Sequence, residues 1–192
     1  AWLGDHARYI KDFMKSGIPV YTAFETQTAL ETITGERTIA IPPRRARQIG
    51  SFTVVPFNVP HDTEIECYGY LIKHEEMGKL LFLTDLEYCK YDFSNQMVNH
   101  ILCEANHDMQ FVNRDEPNYE HRLRGHMSLD TTLKFISTND NPALRNVVLI
   151  HLSDKSGDPA LFKQKTEEAI KYGANVHIAE KGLEVDMNLC PF

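Results

Sequence analysis

KLLFLTD at residues 79–85 carries the reading of the fold. Leu80, Leu81, Phe82 and Leu83 form an unbroken apolar run, too short for a helix and bounded by Gly78 before it and polar residues after it. A run of this kind reads as a strand covered on both faces, and this one ends on a carboxylate, Asp85. Working outward, the same form recurs. SFTVVPFNV (51–59) has strand composition and leads through Pro60 to His61. CYGYLIKH (67–74) is a strand that turns at Gly78 into 79–85. NHILCEAN (99–106) brings in Glu104 and Asn106, VVLIHLS (147–153) brings in His151, and NVHIAE (175–180) is a last strand.

Helical patterns separate these strands. From Asp5 to Ser16, Ile10, Phe13 and Met14 share a face, and Gly17 is a natural stop. IPVY (18–21) reads as a short strand, 24–34 as a helix and PPRRARQ (42–48) as a polar loop. Further helices are expected near 107–124, from Ser128 to about Thr138, and over 159–172. An early β-rich stretch followed by strand–helix alternation predicts an α/β sandwich with mixed sheets.

Composition narrows the function classes. The 192 residues carry 20 Lys+Arg against 27 Asp+Glu, a net charge of −7, with 42% hydrophobic and 24% charged residues. That is enough chain for one domain, expected over 1–192, and the balance is that of a folded protein. No apolar run approaches the ~20 residues of a membrane helix, so no membrane partner is expected. The acidic balance lacks the field that drives nonspecific DNA binding. Cys67, Cys89, Cys103 and Cys190 form no CxxC pair and read as buried thiols of a cytoplasmic protein.

The chemistry lies at strand ends. His61, Asp85, Glu104 with Asn106, and His151 each follow an apolar strand at its carboxyl end, where α/β sheets place their sites. Asp5 and His6 add a contribution from the start of the first helix. Mixed His and Asp ligands suit zinc, manganese or iron, whereas calcium takes oxygen ligands alone. Taken singly, an Asp after a strand is more often a helix cap or turn residue and a His beside a strand more often a hydrogen-bonded core or rim residue; their joint placement favours ligation.

The ordered series DH (5–6), PHD (60–62), FLTD (82–85), EANHD (104–108), GHMS (125–128) and IHLSD (150–154) resembles the metallo-β-lactamase-fold hydrolases. It is more closely similar to their small bacterial and phage branch, related to cell-wall-regulator-linked nucleases. The resemblance extends to AEKGLEVD (179–186). It implies an αββα sandwich of two mixed β-sheets flanked by helices. It also implies a metal-dependent hydrolase, a phosphodiesterase or nuclease, in which a metal-bound hydroxide attacks a phosphodiester. Asp5 and His6 then match the end of a His-x-His-x-Asp-His motif and bind the second metal, with Asp5 counted as catalytic. His61 matches a ligand of the first metal, Asp85 the bridging aspartate, and His151 a ligand of the second metal. The cofactor implied is Zn or Mn, as one or two ions, and the partner a phosphodiester substrate, with nucleic acid as one form of it.

The first two motif histidines would fall at positions 1 and 3, which are Ala1 and Leu3. The family's strands before the motif are also absent, so the expectation is an N-terminally incomplete domain. The first metal would keep only His61 and Asp85. A second class of function follows: a degenerate member that keeps the fold and binds nucleotide, nucleic acid or protein without turnover. β-Lactam hydrolysis is a weaker third option, because fold is not function.

In GHMS, His126 reads as a substrate-phosphate contact or an acid near the leaving group, and Ser128 as an anion contact at a helix start. Ser128 as a plain N-cap and His126 as a turn residue are the competing readings. Asn106, His107 and Asp108 follow a strand that lines the cleft in the resembled family and read as residues that orient ligands or contact substrate, with a capping role for Asp108 an equally good reading. Arg44, Arg45 and Arg47 read as a solvated loop, with phosphate positioning as the alternative. His74, His100, His121 and His177 read as structural or surface residues.

Overall fold

A computed structural model describes residues 9–34, 38–61, 66–115, 117 and 119–190. In chain order these form α1 (Ile10–Lys15), β1 (Tyr21–Thr22), α2 (Phe24–Thr34), β2 (Ile39–Ala40), β3 (Arg47–Ile49), β4 (Phe52–Val59), β5 (Cys67–His74), β6 (Gly78–Leu83) and β7 (His100–Glu104). α3 (Tyr119–Gly125), α4 (Leu129–Asn139), β8 (Asn146–Ile150), α5 (Pro159–Ala169) and β9 (Asn175–Ile178) follow. β3 to β9 lie side by side in sequence order in one mixed seven-stranded sheet. β3 to β6 pair antiparallel, and β6 to β9 pair parallel. The parallel part needs crossovers, and α3, α4 and α5 lie in them.

The apolar runs explain this order. Leu81 and Leu83 of β6, Ile101 and Cys103 of β7, and Val147 and Leu149 of β8 are all fully buried. They alternate along their strands, so one sheet face presents a continuous apolar surface. Leu129, Phe135 and Ile136 from α4 and Phe162 from α5 join them in one core. Ser128 caps α4 by accepting from the Thr131 N–H at 3.3 Å. Asp158 caps α5 by accepting from the N–H groups of Ala160 and Leu161, with Pro159 in the first turn.

Several expectations shift. Among the described residues the strands form one large mixed sheet and a separate two-stranded parallel pair, β1–β2. Helix between 107 and 124 is confined, among the described residues, to α3; 109–111 form a turn. Arg47 belongs to β3, while Arg44, Arg45 and Arg47 are all exposed. Of the thiols, Cys103 is buried, Cys67 and Cys89 are half-buried and Cys190 is exposed. No helix among the described residues is long and apolar enough to cross a membrane.

Among the other histidines, His100 is buried, donating from Nε2 to the Met77 carbonyl at 3.1 Å and accepting at Nδ1 from the Asn146 amide at 3.1 Å. His177 meets the same Asn146 at 3.4 Å. This polar network ties the amino ends of β7 and β8 together, at the sheet edge opposite the strand ends discussed next.

Opposite Phe57 on β4 stands Gly69 on β5. A Cβ at position 69 would sit 2.5 Å from the Phe57 ring, which also packs 5.0 Å from Phe93 and 5.4 Å from Tyr91. Gly69→Ala is therefore expected to destabilise by about 1–3 kcal/mol through overpacking, read as a lower urea midpoint at unchanged slope; an unchanged midpoint would remove this account of the glycine.

Candidate metal centre

Strand direction assembles the site. β4 and β6 are both antiparallel to β5, and β7 and β8 are parallel to β6, so all four point the same way. Their carboxyl ends share one sheet edge. His61 and Asp85 lie just past β4 and β6, Glu104 ends β7, and His151 follows β8. His126 reaches the same edge from the turn between α3 and α4.

Asp85, Glu104, His126 and His151 each place a ligand atom within 4.8 Å of the others. Glu104 is the fixed point, with its side chain fully buried. Its Oε1 accepts from His126 Nδ1 at 2.7 Å and from His151 Nδ1 at 3.1 Å, and its Oε2 accepts from the Leu86 N–H at 3.2 Å. Asp85 Oδ1 lies 3.3 Å from His151 Nδ1 and 3.6 Å from His126 Nδ1. Burial alone would push the Glu104 carboxyl up. The hydrogen bonds and charge of His126 and His151 outweigh it and hold the group below the usual glutamate value.

The backbone is forced here. Asp85 and His151 both adopt left-handed conformations, with φ of 52° and 57°. Such conformations cost a non-glycine residue about 1 kcal/mol or more and persist where surroundings over-determine them. At His151 the surroundings include Asn106, whose buried amide donates to the His151 carbonyl at 2.9 Å. The Asn106 carbonyl in turn accepts from the Ser153 N–H at 2.8 Å.

His61 stands beside the cluster, its ring centre 5.9 Å from that of His126. Its Nδ1 lies 2.8 Å from the Gly125 carbonyl. A carbonyl only accepts, so Nδ1 carries the proton and Nε2 keeps its lone pair. The Cys67 thiol, nearby at the start of β5, is pushed up to about 11 by burial and by the charges of Asp85 and Glu104, so it is a neutral thiol.

The expected residues therefore fall into three groups. Asp85 and His151 meet in one cluster, with His61 alongside. Asp5 and His6 lie outside the described residues. Ser128 acts as a helix cap, and Asn106 is occupied with the His151 backbone. The sequence reading gave His126 a substrate-phosphate contact or an acid role, and in the structure its Nδ1 lies on Glu104. Glu104 itself was noted at a strand end but left out of the ligand set. Its signal was there, as the one acidic residue inside the buried HILCE strand.

The donor set, two imidazoles and two carboxylates, fits a divalent cation of the zinc, manganese or iron type. It mixes nitrogen with oxygen, converges from four separate segments, and is held by strained backbone.

No family model matches this chain, and no curated protein matches it in sequence. Solved structures do. A metallo-β-lactamase fold protein, YhfI from Bacillus subtilis, superposes with a TM-score of 0.63 at 19% identity over 86% of this chain and 64% of its own. The chain has the metallo-β-lactamase fold. Igni18, a metallo hydrolase from the archaeon Ignicoccus hospitalis, gives 0.67 at 16% identity over 92% and 71%. A diphosphatase of the PhnP family gives 0.60 at 17% identity over 90% and 60%. The chain thus spans about two-thirds of the length of these metallo-β-lactamase-fold proteins.

Beneath the cluster of this metallo-β-lactamase-like sheet, His107 is buried, with Nδ1 lacking a hydrogen-bond partner among the described residues. Burial, then the charges of Arg122 and His126, push its pKa down to about 4. An unfolded histidine titrates near 6.5, so the unfolded chain binds more protons between the two values. The His107 contribution is complete above pH ~6.5 and is lost as pH falls toward about 4. In metal-free protein, His107→Leu is expected to flatten the slope of unfolding free energy against pH across this window. An identical slope in both proteins would refute the assignment.

Proposed function

We infer that this chain is a metal-dependent hydrolase acting on phosphodiesters. The observation that carries the reading is the convergence of Asp85, Glu104, His126 and His151. The diphosphatase and the metallo hydrolase among the similar folds support it as analogy.

A divalent cation held by these four residues would polarise a phosphoryl oxygen and lower the pKa of a bound water. The protein's own groups do the rest. Asp85 and Glu104 supply two negative charges for the cation. In the absence of a cation Glu104 orients His126 and His151 by accepting from the Nδ1 of each, and a cation held by all four residues would take the place of those two protons. Asn106 holds the His151 backbone in register. Asp5 and His6 join the ligand set in this proposal on the family resemblance alone. The net charge of −7 favours a small phosphodiester over a long polyanion.

Protein purified without chelator is expected to carry zinc or manganese by elemental mass spectrometry and to hydrolyse bis(p-nitrophenyl) phosphate. Chelation should abolish turnover, and added metal should restore it. Asp85→Ala should lose the cation and at least about 100-fold in kcat/KM. Stoichiometric metal retained in Asp85→Ala would overturn the ligand assignment, and a metal-free, inactive wild type would overturn the hydrolase reading.

A further inference from the structure

The loop after β6 runs along α4 and is pinned at both ends. At one end the Leu86 N–H donates to Glu104 Oε2 at 3.2 Å, and the Glu104 carbonyl accepts from the Thr132 hydroxyl of α4 at 2.7 Å. At the other end the Phe93 N–H donates to Asn139 Oδ1 at 2.7 Å, at the close of α4. Leu86 is fully buried, and the Phe93 ring packs 6.5 Å from that of Phe135, so the core holds both pins in place. Between them the loop stands off the helix and leaves a cavity of about 240 Å³. Residues 89–92 line it on the loop side, and Thr131, Lys134, Phe135, Thr138 and Asn139 on the helix side.

Most polar groups of this lining are already engaged. Asn139 uses Oδ1 on Phe93 and donates from Nδ2 to the Phe135 carbonyl. The Thr138 hydroxyl donates to the Lys134 carbonyl, the Thr131 hydroxyl meets that of Ser128, and Asp92 Oδ1 accepts from the Ser94 N–H. Burial pushes the Cys89 thiol up to about 11, so it adds no charge. Lys90 and Lys134 differ. Both are exposed, and among the described residues neither ammonium has an ion pair or a hydrogen bond. Lys90 Nζ lies 5.4 Å from the centre of the Tyr91 ring. Two cations and one carboxylate thus share a cavity walled by the rings of Tyr91 and Phe135, in a chain of net charge −7.

We propose that this cavity binds a small organic anion with a planar ring, the ring against Tyr91 and Phe135 and the anionic group at Lys90 and Lys134. The ring gains apolar burial and aromatic contact, and the anionic group gains charge-assisted hydrogen bonds. An inorganic anion would leave the aromatic walls uncovered, and a neutral ring would leave both ammoniums without a partner. Pockets for drug-sized ligands run to about 300–1,000 Å³, so this smaller one takes a single ring system. None of its lining residues belongs to the candidate metal centre, and the site stands whether or not the chain is a hydrolase.

Naphthalene-2-sulfonate, a fluorescent planar anion with no phosphoester bond, is the probe. Titrated into the full chain and followed by fluorescence and calorimetry, it is expected to fill one saturable site. Lys134→Met keeps the length of the side chain without its charge and should weaken binding by at least about threefold, while Lys134→Arg should retain it. Lys90→Met should act in the same direction. Both lysines are exposed, so the far-ultraviolet circular dichroism spectrum should not change. 2-Naphthol, the same ring without the charge, should bind more weakly than the sulfonate. No saturable binding of the sulfonate to the wild type would overturn the site. Affinity unchanged in both Lys90→Met and Lys134→Met would overturn its location, and equal affinity for 2-naphthol would overturn the anion assignment.

Discussion

A buried carboxylate between two imidazoles governs this molecule. Removing an ionised carboxylate from water costs several kcal/mol, and the cost is met only by well-placed donors. Glu104 has three: two histidine N–H groups and one backbone N–H. They come from the loop after β6, the turn before α4 and the end of β8. The Glu104 carbonyl also accepts from the Thr132 hydroxyl of α4 at 2.7 Å, so both ends of the residue hold the helix layer against the sheet. Satisfying this single group places every segment that forms the site.

Sheet topology makes that satisfaction possible. A parallel β6–β7–β8 core brings three carboxyl ends to one edge, and the β4–β5 hairpin returns a fourth strand end to it. The fold supplies this convergence to many proteins of different chemistry, so the fold by itself does not select a reaction. The selection lies in which side chains occupy the edge and in how their protons are fixed. Here backbone carbonyls and one glutamate set the histidine tautomers.

Much of this was legible in the sequence. The strands 52–59, 67–74 and 78–83 were visible because continuous apolar runs between turn residues have few other solutions. Ser128 announced α4 through its cap chemistry, and α2 matched its predicted span. The strand-end rule put Asp85, His61 and His151 at one sheet edge, where the structure has them. The relation of Glu104 to His126 was not legible, since 22 residues separate them and only the folded crossover closes the gap. The contact between the rings of His121 and His126 was equally hidden. Five residues apart, they fall on different faces of a regular helix, and they meet only because α3 ends at Gly125 and the chain turns. Short segments such as β1, β2 and β3 carry too few residues for any pattern to register.

The left-handed backbones at Asp85 and His151 have a consequence for how such a protein changes over generations. Glycine adopts these angles without steric cost, yet at position 151 it would also take away one of the three donors to the buried Glu104 carboxylate. Relief of the backbone at that corner would therefore be repaid in the core. The angle at His151 is tied to the hydrogen bond its ring makes, so the position is held by the folded core as well as by any chemistry at the sheet edge.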